Sequence, residues 1–146
     1  MEGKGEAVCL GKVKIQPKQE QSEINLQPGI GVIGDGHAGT EKEVSLFARE
    51  DLERFIQETG IQAPPGSFAE NINTRGISLV DLAPGIRLTL GETEIEIIAI
   101  GKDPYLSHTY LYRGHSLLPC RGVFAQVIRG GKVRKGDPIN KIANKK

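Results

Sequence analysis

The stretch IRLTLGETEIEIIAI, residues 86–100, decides the fold class of this chain. Apolar and polar residues alternate over residues 86–90, and again over 95–97 beyond Gly91-Glu92. A period of two gives each run one apolar face, as expected of half-buried β-strands. A two-residue link that begins with glycine suits a tight hairpin turn. The stretch therefore predicts two antiparallel strands joined by a hairpin.

Similar short segments surround this hairpin, separated by glycine and proline. The polar segment 16–28 ends in a Pro28-Gly29 turn, and Gly130-Gly131 and Gly136-Asp137 mark later turns. Further strands are predicted at residues 7–15 with a break at Gly11, at 44–47, within 71–77, at 123–128, and around Val133 and Ile139.

Residues 49–59 form the only convincing helix of the sequence. Leu52, Phe55 and Ile56 fall on one face of it, and Gly60 follows as a residue suited to a left-handed C-terminal cap. About seven short strands and one helix favour a mainly β domain that closes into a barrel. A sheet with one open edge is the alternative, since strand order is not readable from sequence.

Composition predicts one globular domain over residues 1–146, with a core at about 7–140 and a basic tail at 141–146. The chain is 38% hydrophobic and 25% charged. No apolar run approaches the roughly 20 residues of a membrane-spanning helix, and the N-terminus lacks a secretory h-region. Cys9 and Cys120 are too few for a disulfide framework, which favours reduced thiols in a cytoplasm.

The charges of the chain are divided unevenly. Residues 1–100 carry 9 Lys/Arg and 16 Asp/Glu, whereas residues 101–146 carry 10 Lys/Arg and 2 Asp/Glu. Such asymmetry is compatible with an anion-binding face, and equally with a solvated surface that ends in a basic tail. No nucleic-acid-binding motif accompanies the basic segment, so we expect no nucleic acid partner.

Two glycine-flanked polar motifs are candidates for a binding site. In GDGHAG, residues 34–39, Asp35 and His37 could face a ligand, or Asp35 could cap its own turn. In GSFAENI, residues 66–72, Glu70 and Asn71 would point to opposite faces if they lie on a strand. The alternative is a turn followed by the start of an ordinary strand. A Glu70 that faces a barrel interior would need a partner or would have a raised pKa.

The thiol of Cys120 is the candidate nucleophile. Arg121 follows it and Arg113 is close in sequence, and a nearby cation stabilises a thiolate. Together with His108 and His115, Cys120 could supply three zinc ligands, although the spacing fits no common zinc signature. The other interpretation of Cys120 is a small buried residue.

The motifs taken in order resemble the MOSC family, whose domain also stands at the C-terminus of molybdenum cofactor sulfurases. The resemblance covers about nine-tenths of the chain, residues 11–139. The segments that carry it are GVIGDGHAG (31–39), EVSLF (43–47), PGSFAENI (65–72), RGISLVDLAPGIRLTLG (75–91), IEIIAIGK (95–102) and RGVFAQVIRGGKVRKGD (121–137).

The resemblance implies a closed β-barrel of about seven short strands with one or two helices. It also implies binding of the molybdenum cofactor (molybdopterin) and handling of sulfur. A cysteine desulfurase that carries pyridoxal phosphate would be a separate sulfur donor, and a molybdoenzyme or cofactor-synthesis protein the recipient. The family motifs map onto Asp35, His37, Ser45, Glu70, Asn71 and Arg121, and Arg121 or Arg113 would hold the phosphate of the cofactor.

The sequence departs from the family at the thiol. Small relatives are expected to have cysteines near Pro104, His108 or Ser116, and this chain has none there. Either Cys120 has taken over the role of sulfur carrier, or the protein is a binding or chaperone module without a covalent step. A reductase acting on N-hydroxylated substrates, as in some longer relatives, is the third alternative.

Overall fold

The computed structural model of the protein describes residues 2–11, 18–36, 39, 43–100 and 122–142. These residues form eleven strands, one α-helix and a 3₁₀ turn at Leu79–Asp81. The elements are β1 (Glu2–Leu10), β2 (Gln19–Gln21), β3 (Glu23–Gln27), β4 (Gly31–Val32), β5 (Val44–Ala48), α1 (Arg49–Thr59), β6 (Ile72–Arg75), β7 (Arg87–Leu90), β8 (Thr93–Ile100), β9 (Val123–Arg129), β10 (Gly131–Arg134) and β11 (Pro138–Lys141).

Seven strands close into a barrel in the order β1-β11-β7-β8-β9-β5-β6, with β6 returning to β1. The closure depends on β1, which pairs antiparallel with β11 through Gly3 and Ile139 and with β6 through Val8 and Ile72. The short strand β2 extends the sheet beside the end of β1. The predicted closed barrel is thus confirmed, and the open-edged alternative is wrong.

The hairpin predicted from residues 86–100 is strands β7 and β8. Leu90 is paired with Thr93, so Gly91 and Glu92 form a two-residue loop, and Gly91 has a φ of 57°. A positive φ at the first loop residue is the reason that glycine suits this turn. Leu88, Leu90 and Ile95 are fully buried, as their alternation predicts.

The strands β5 and β6 are the one parallel pair of the barrel. Parallel neighbours need a crossover connection, and α1 with the segment 60–71 provides it. Gly60 ends α1 in the left-handed conformation and donates its N–H to the carbonyl of Ile56 (2.8 Å), as predicted. The described helices include none with the length and apolar character needed to span a membrane.

Two apolar clusters lie on the two sides of β5. The barrel core includes side chains from all seven barrel strands, and the small sheet β10-β3-β4 adds Ile24, Leu26 and Val133 to it. On the outer side, Phe47 packs with Phe68 under α1. Its cluster is completed by Leu52, Phe55 and Ala63.

The boundaries of the first strands differ from the prediction. Strand β1 begins at Glu2 and ends at Leu10, whereas the predicted strand spans residues 7–15 with a break at Gly11. The part of that prediction at residues 12–15 lies outside the described residues. The polar first half of β1 pairs with β11 and β6, which no local pattern reveals. The segment 16–28, predicted only as polar, contains β2 and β3, with Ile24 and Leu26 facing the core. Lys141, assigned to the tail, is the last residue of β11.

Candidate functional site

Polar side chains collect on the outer side of β5, next to the aromatic cluster. Val44 and Leu46 belong to the barrel core, so alternation turns Ser45 to the outer face. Asn71 lies against Ser45 there, Asp35 contacts Asn71, and Lys18 is paired with Asp35. None of the four is more than 6% exposed. These four residues are the buried polar cluster.

Asn71 is the centre of the buried polar cluster. Its side-chain oxygen accepts hydrogen bonds from the backbone N–H (3.1 Å) and the hydroxyl (3.2 Å) of Ser45. Its Nδ2 donates to the carbonyl of Cys9 (3.2 Å) and to Oδ1 of Asp35 (3.3 Å). One amide thus connects β1, β5 and the segment between β4 and β5. Its donors and its acceptor are all used by protein groups.

Asp35 and Lys18 form a buried ion pair within the buried polar cluster. The Nζ of Lys18 lies 2.8 Å from Oδ1 of Asp35, and both side chains are at most 1% exposed. The same oxygen accepts the N–H of Gly11 (3.1 Å) and the amide of Asn71. Three donors thus converge on one carboxylate oxygen of Asp35.

Glu70 holds the turn that precedes β6. Its carboxylate accepts the N–H of Gly66 (2.9 Å), the N–H of Phe68 (3.0 Å) and Nδ2 of Asn73 (2.6 Å). Ala69 within this turn has a φ of 67°, the only positive φ of a non-glycine residue in the described ranges. A side chain in the left-handed region costs about 1–2 kcal/mol. The bonds to Glu70 therefore offset local backbone strain.

Burial raises the pKa of the Glu70 carboxyl above its ordinary value, while the bonds from Asn73, Gly66 and Phe68 lower it and only partly compensate. Of the two alternatives raised by the sequence, a partner or a raised pKa, Glu70 has both. Of the two local structures that the sequence allowed, a strand at Glu70 and Asn71 is wrong and a turn before the strand is confirmed, since β6 begins at Ile72. Both side chains bond to residues on the outer face of the barrel wall rather than in its interior.

The structure brings together three of the predicted site residues, Asp35, Ser45 and Asn71, and places Glu70 in the adjoining turn. The remaining candidates lie outside the described residues: His37, Arg113, Cys120 and Arg121, together with the histidines of the zinc alternative, His108 and His115.

Lys18 is a cluster residue that sequence reasoning missed. It stands in the polar segment 16–28, where no motif and no periodicity distinguished it from surface lysines. Its only signal is three-dimensional, because a lysine that is almost fully buried is rare unless it is paired.

Cys9 is the one cysteine of the described residues, and it is fully buried. Burial, and to a lesser degree the negative charge of Glu70, raises the pKa of its thiol far above the usual range. A thiol that stays protonated is neither a nucleophile nor a sulfur carrier. The structure thus gives Cys9 a packing role.

We expect Cys9 to resist alkylation in the folded protein. In a Cys120→Ser variant, where Cys9 is the only thiol, iodoacetamide labelling at mildly alkaline pH should be on the order of a hundredfold slower in buffer than in guanidinium chloride, because labelling requires the fold to open. Peptide mass mapping measures both rates. Equal rates in the two solvents would show that the thiol is accessible.

The described residues contain no group of three or more His, Cys, Asp or Glu side chains placed to hold a metal ion. A groove of about 430 Å³ opens elsewhere, at the carboxyl ends of β5 and β6. It is lined by Ala48, Glu50, Asp51, Arg54, Gly76, Ile77, Ser78 and Leu79, and by no member of the buried polar cluster.

A family model described as "MOSC domain" matches residues 34–140 of the chain. This match covers the motifs of Asp35, Ser45, Glu70 and Asn71, and extends to β11. No curated protein matches the sequence.

Several crystal structures share the fold. The YuaD protein from Bacillus subtilis is 19% identical with a TM-score of 0.74, over 95% of this chain and 94% of that one. YiiM from Geobacillus stearothermophilus is 17% identical with a TM-score of 0.75, over 97% and 75%. YiiM from Escherichia coli is 20% identical with a TM-score of 0.66, over 99% and 71%. At these identities the likeness concerns the fold alone.

Proposed function

The chain belongs to the MOSC domain family, and on that premise we propose that it binds the molybdenum cofactor or molybdopterin and carries sulfur as a persulfide on Cys120. The observation that carries the proposal is the meeting of three motif residues, Asp35, Ser45 and Asn71, in the buried polar cluster. They are far apart in sequence, and the barrel brings them together. Such convergence of polar groups is characteristic of a built site.

The described members of the cluster fit a supporting role rather than direct contact with the cofactor. The amide of Asn71 and the hydroxyl of Ser45 are bonded to each other and to the backbone, and Lys18 is paired with Asp35. The proposal therefore assigns the phosphate of the cofactor to Arg121 and Arg113, whose forked donors suit a phosphate.

The buried polar cluster supports contacts by fixing the chain that leads to His37. Asp35 is held to Gly11 by its side chain, and the next residue, Gly36, donates its N–H to the carbonyl of Gly11 (2.6 Å). His37 follows directly in the sequence. A contact residue needs a rigid support of this kind to bind with a defined orientation.

The sulfur step falls on Cys120 because the thiol of Cys9 is buried and protonated. The thiolate of Cys120 attacks the outer sulfur of a persulfide on a cysteine desulfurase. A new S–S bond forms, the old one breaks, and the donor cysteine leaves as a thiolate. Pyridoxal phosphate belongs to that donor protein, and a molybdoenzyme or cofactor-synthesis protein receives the sulfur.

Titration with molybdopterin tests the binding part of the proposal. We expect Arg121→Ala to bind about 10- to 100-fold more weakly than the parent, the usual effect of losing a charge-assisted hydrogen bond. Arg129→Ala is the matched control, since Arg129 lies on β9 with its side chain 60% exposed. Absence of binding by the parent at micromolar protein would remove the proposed function.

Labelling with a cysteine desulfurase and ³⁵S-cysteine tests the sulfur part. The parent and Cys9→Ala should acquire label that a reductant releases, whereas Cys120→Ala should acquire none. If Cys120→Ala carries as much label as the parent, Cys120 is not the carrier. A parent that binds molybdopterin and never acquires label would be a binding module without a covalent step.

A further inference from the structure

We propose that Lys18 is the positioning residue of this site: it fixes the carboxylate of Asp35 and thereby the chain that leads to His37. The inference rests on the proposed function, which it extends to a residue outside every family motif in the sequence. Its grounds are the buried ion pair, the backbone contacts of Lys18, and the number of segments that meet at Asp35.

Contacts with Gly66 hold the backbone of Lys18 in place independently of its side chain. Its N–H donates to the carbonyl of Gly66 (2.8 Å). A Cβ on Gly66 would stand 2.2 Å from the carbonyl oxygen of Lys18, so the two backbones touch as only glycine permits. Gly11 is in similar contact, because a Cβ there would lie 3.0 Å from Cγ of Lys18.

From this fixed backbone the side chain of Lys18 reaches Asp35. The ammonium group lies 2.8 Å from Oδ1 of the carboxylate, in a place that solvent does not enter. A buried carboxylate without a counter-charge would take up a proton or move toward water. The ammonium group of Lys18 therefore stabilises the carboxylate of Asp35 in this position.

Asp35 passes this constraint to two other segments and to the residue that follows it. Its Oδ1 receives the N–H of Gly11 at the end of β1 and the amide of Asn71 before β6. Gly36, the next residue, is bonded to the carbonyl of Gly11. Loss of Lys18 would weaken all of these hydrogen bonds together. A positioning residue acts in this way without touching the ligand.

The test is a double-substitution cycle on the full chain, with molybdopterin as the probe. Lys18→Met removes the ammonium group that lies 2.8 Å from Oδ1 of Asp35, and Asp35→Asn removes the negative charge beside Lys18. The combined variant removes both charges, and its new amide oxygen still accepts from Gly11 and Asn71. Binding and urea unfolding are measured at a temperature where circular dichroism shows all four proteins folded.

We expect each single variant to bind at least tenfold more weakly and to unfold at lower urea, and the combined variant to recover binding to within about threefold of the parent. Lys132→Met, which removes a surface pair with Glu23, is the control and should match the parent. Parent-like binding by Lys18→Met, or no recovery in the combined variant, overturns the proposal.

Failure of the proposed function gives a different pattern. The parent then binds no molybdopterin, and the cycle is read from urea unfolding together with backbone amide chemical shifts of Gly11 and Gly36. Shifts that Lys18→Met displaces and the combined variant restores support the positioning role. Shifts unchanged in Lys18→Met overturn it.

Discussion

Asn71→Asp should lower the free energy of unfolding by about 3–5 kcal/mol at about pH 7, the usual effect of an uncompensated buried charge. The substitution preserves shape and the acceptor for Ser45. It replaces an NH₂ that donates to Cys9 and Asp35 by an oxygen. That oxygen would face a carbonyl oxygen at 3.2 Å and a carboxylate oxygen at 3.3 Å.

The loss should depend on pH in a defined direction. Burial and the neighbouring Asp35 raise the pKa of the new carboxyl in the folded state above its unfolded value of about 3.9. A raised acid pKa costs no stability below the unfolded pKa, and the cost grows as the pH rises from the unfolded pKa to the folded pKa, above which it is constant. The deficit should therefore be smaller near pH 5 than near pH 7.

Urea unfolding of the parent and the variant at both pH values measures this effect. Asn25→Asp is the matched control, because Asn25 is exposed on β3. It should change stability by no more than about 0.5 kcal/mol. If Asn71→Asp unfolds at the same urea concentration as this control, the amide of Asn71 contributes little to stability.

The parts of the fold that sequence predicted are those with a local cause. Alternation and a glycine turn specify β7 and β8, and an apolar face with a glycine cap specifies α1. Closure of the barrel joins residues 2–4 to 138–140, across nearly the whole chain. That pairing depends on the complete sheet, so no window of sequence contains it.

The candidate site divides in the same way. Motifs singled out Asp35, Ser45 and Asn71 without indicating that their side chains bond to one another. The sequence left open whether Glu70 lies on a strand or in a turn before one, and Ala69 adopts a left-handed conformation in a turn that ends just before β6. Lys18 had no signal, because burial of a lysine follows from packing between distant segments rather than from its neighbours in sequence.

A supporting cluster that is fully bonded has a consequence for function. The polar atoms of Ser45 and Asn71 are used within the fold, so substitutions there should act on binding through the positions of other residues. Residues that contact the ligand should instead change binding and leave stability nearly intact. Unfolding and titration measured on the same variants separate the two groups.

Gly66→Ala should destabilise the protein by about 3 kcal/mol or more, through steric contact rather than through φ alone. Gly66 has a φ of 90°, and an added Cβ would lie 2.2 Å from the carbonyl oxygen and 2.8 Å from the carbonyl carbon of Lys18. A left-handed alanine costs about 1–2 kcal/mol, and overpacking a tight site adds about 1–3 kcal/mol. The segments around Gly66 and Lys18 must both shift, since each of these contacts is to a backbone atom.

Gly85→Ala separates these two costs. Gly85 has nearly the same φ, 95°, and an added Cβ there would meet no atom within 4 Å. The free energy of unfolding of Gly85→Ala, measured in urea, should therefore fall by only about 1–2 kcal/mol. Of the two substitutions, only Gly66→Ala displaces Lys18. If the proposed function holds, Gly66→Ala should therefore also bind molybdopterin more weakly than Gly85→Ala. Equal losses of stability in the two variants would show that Gly66 and Lys18 are not in close contact.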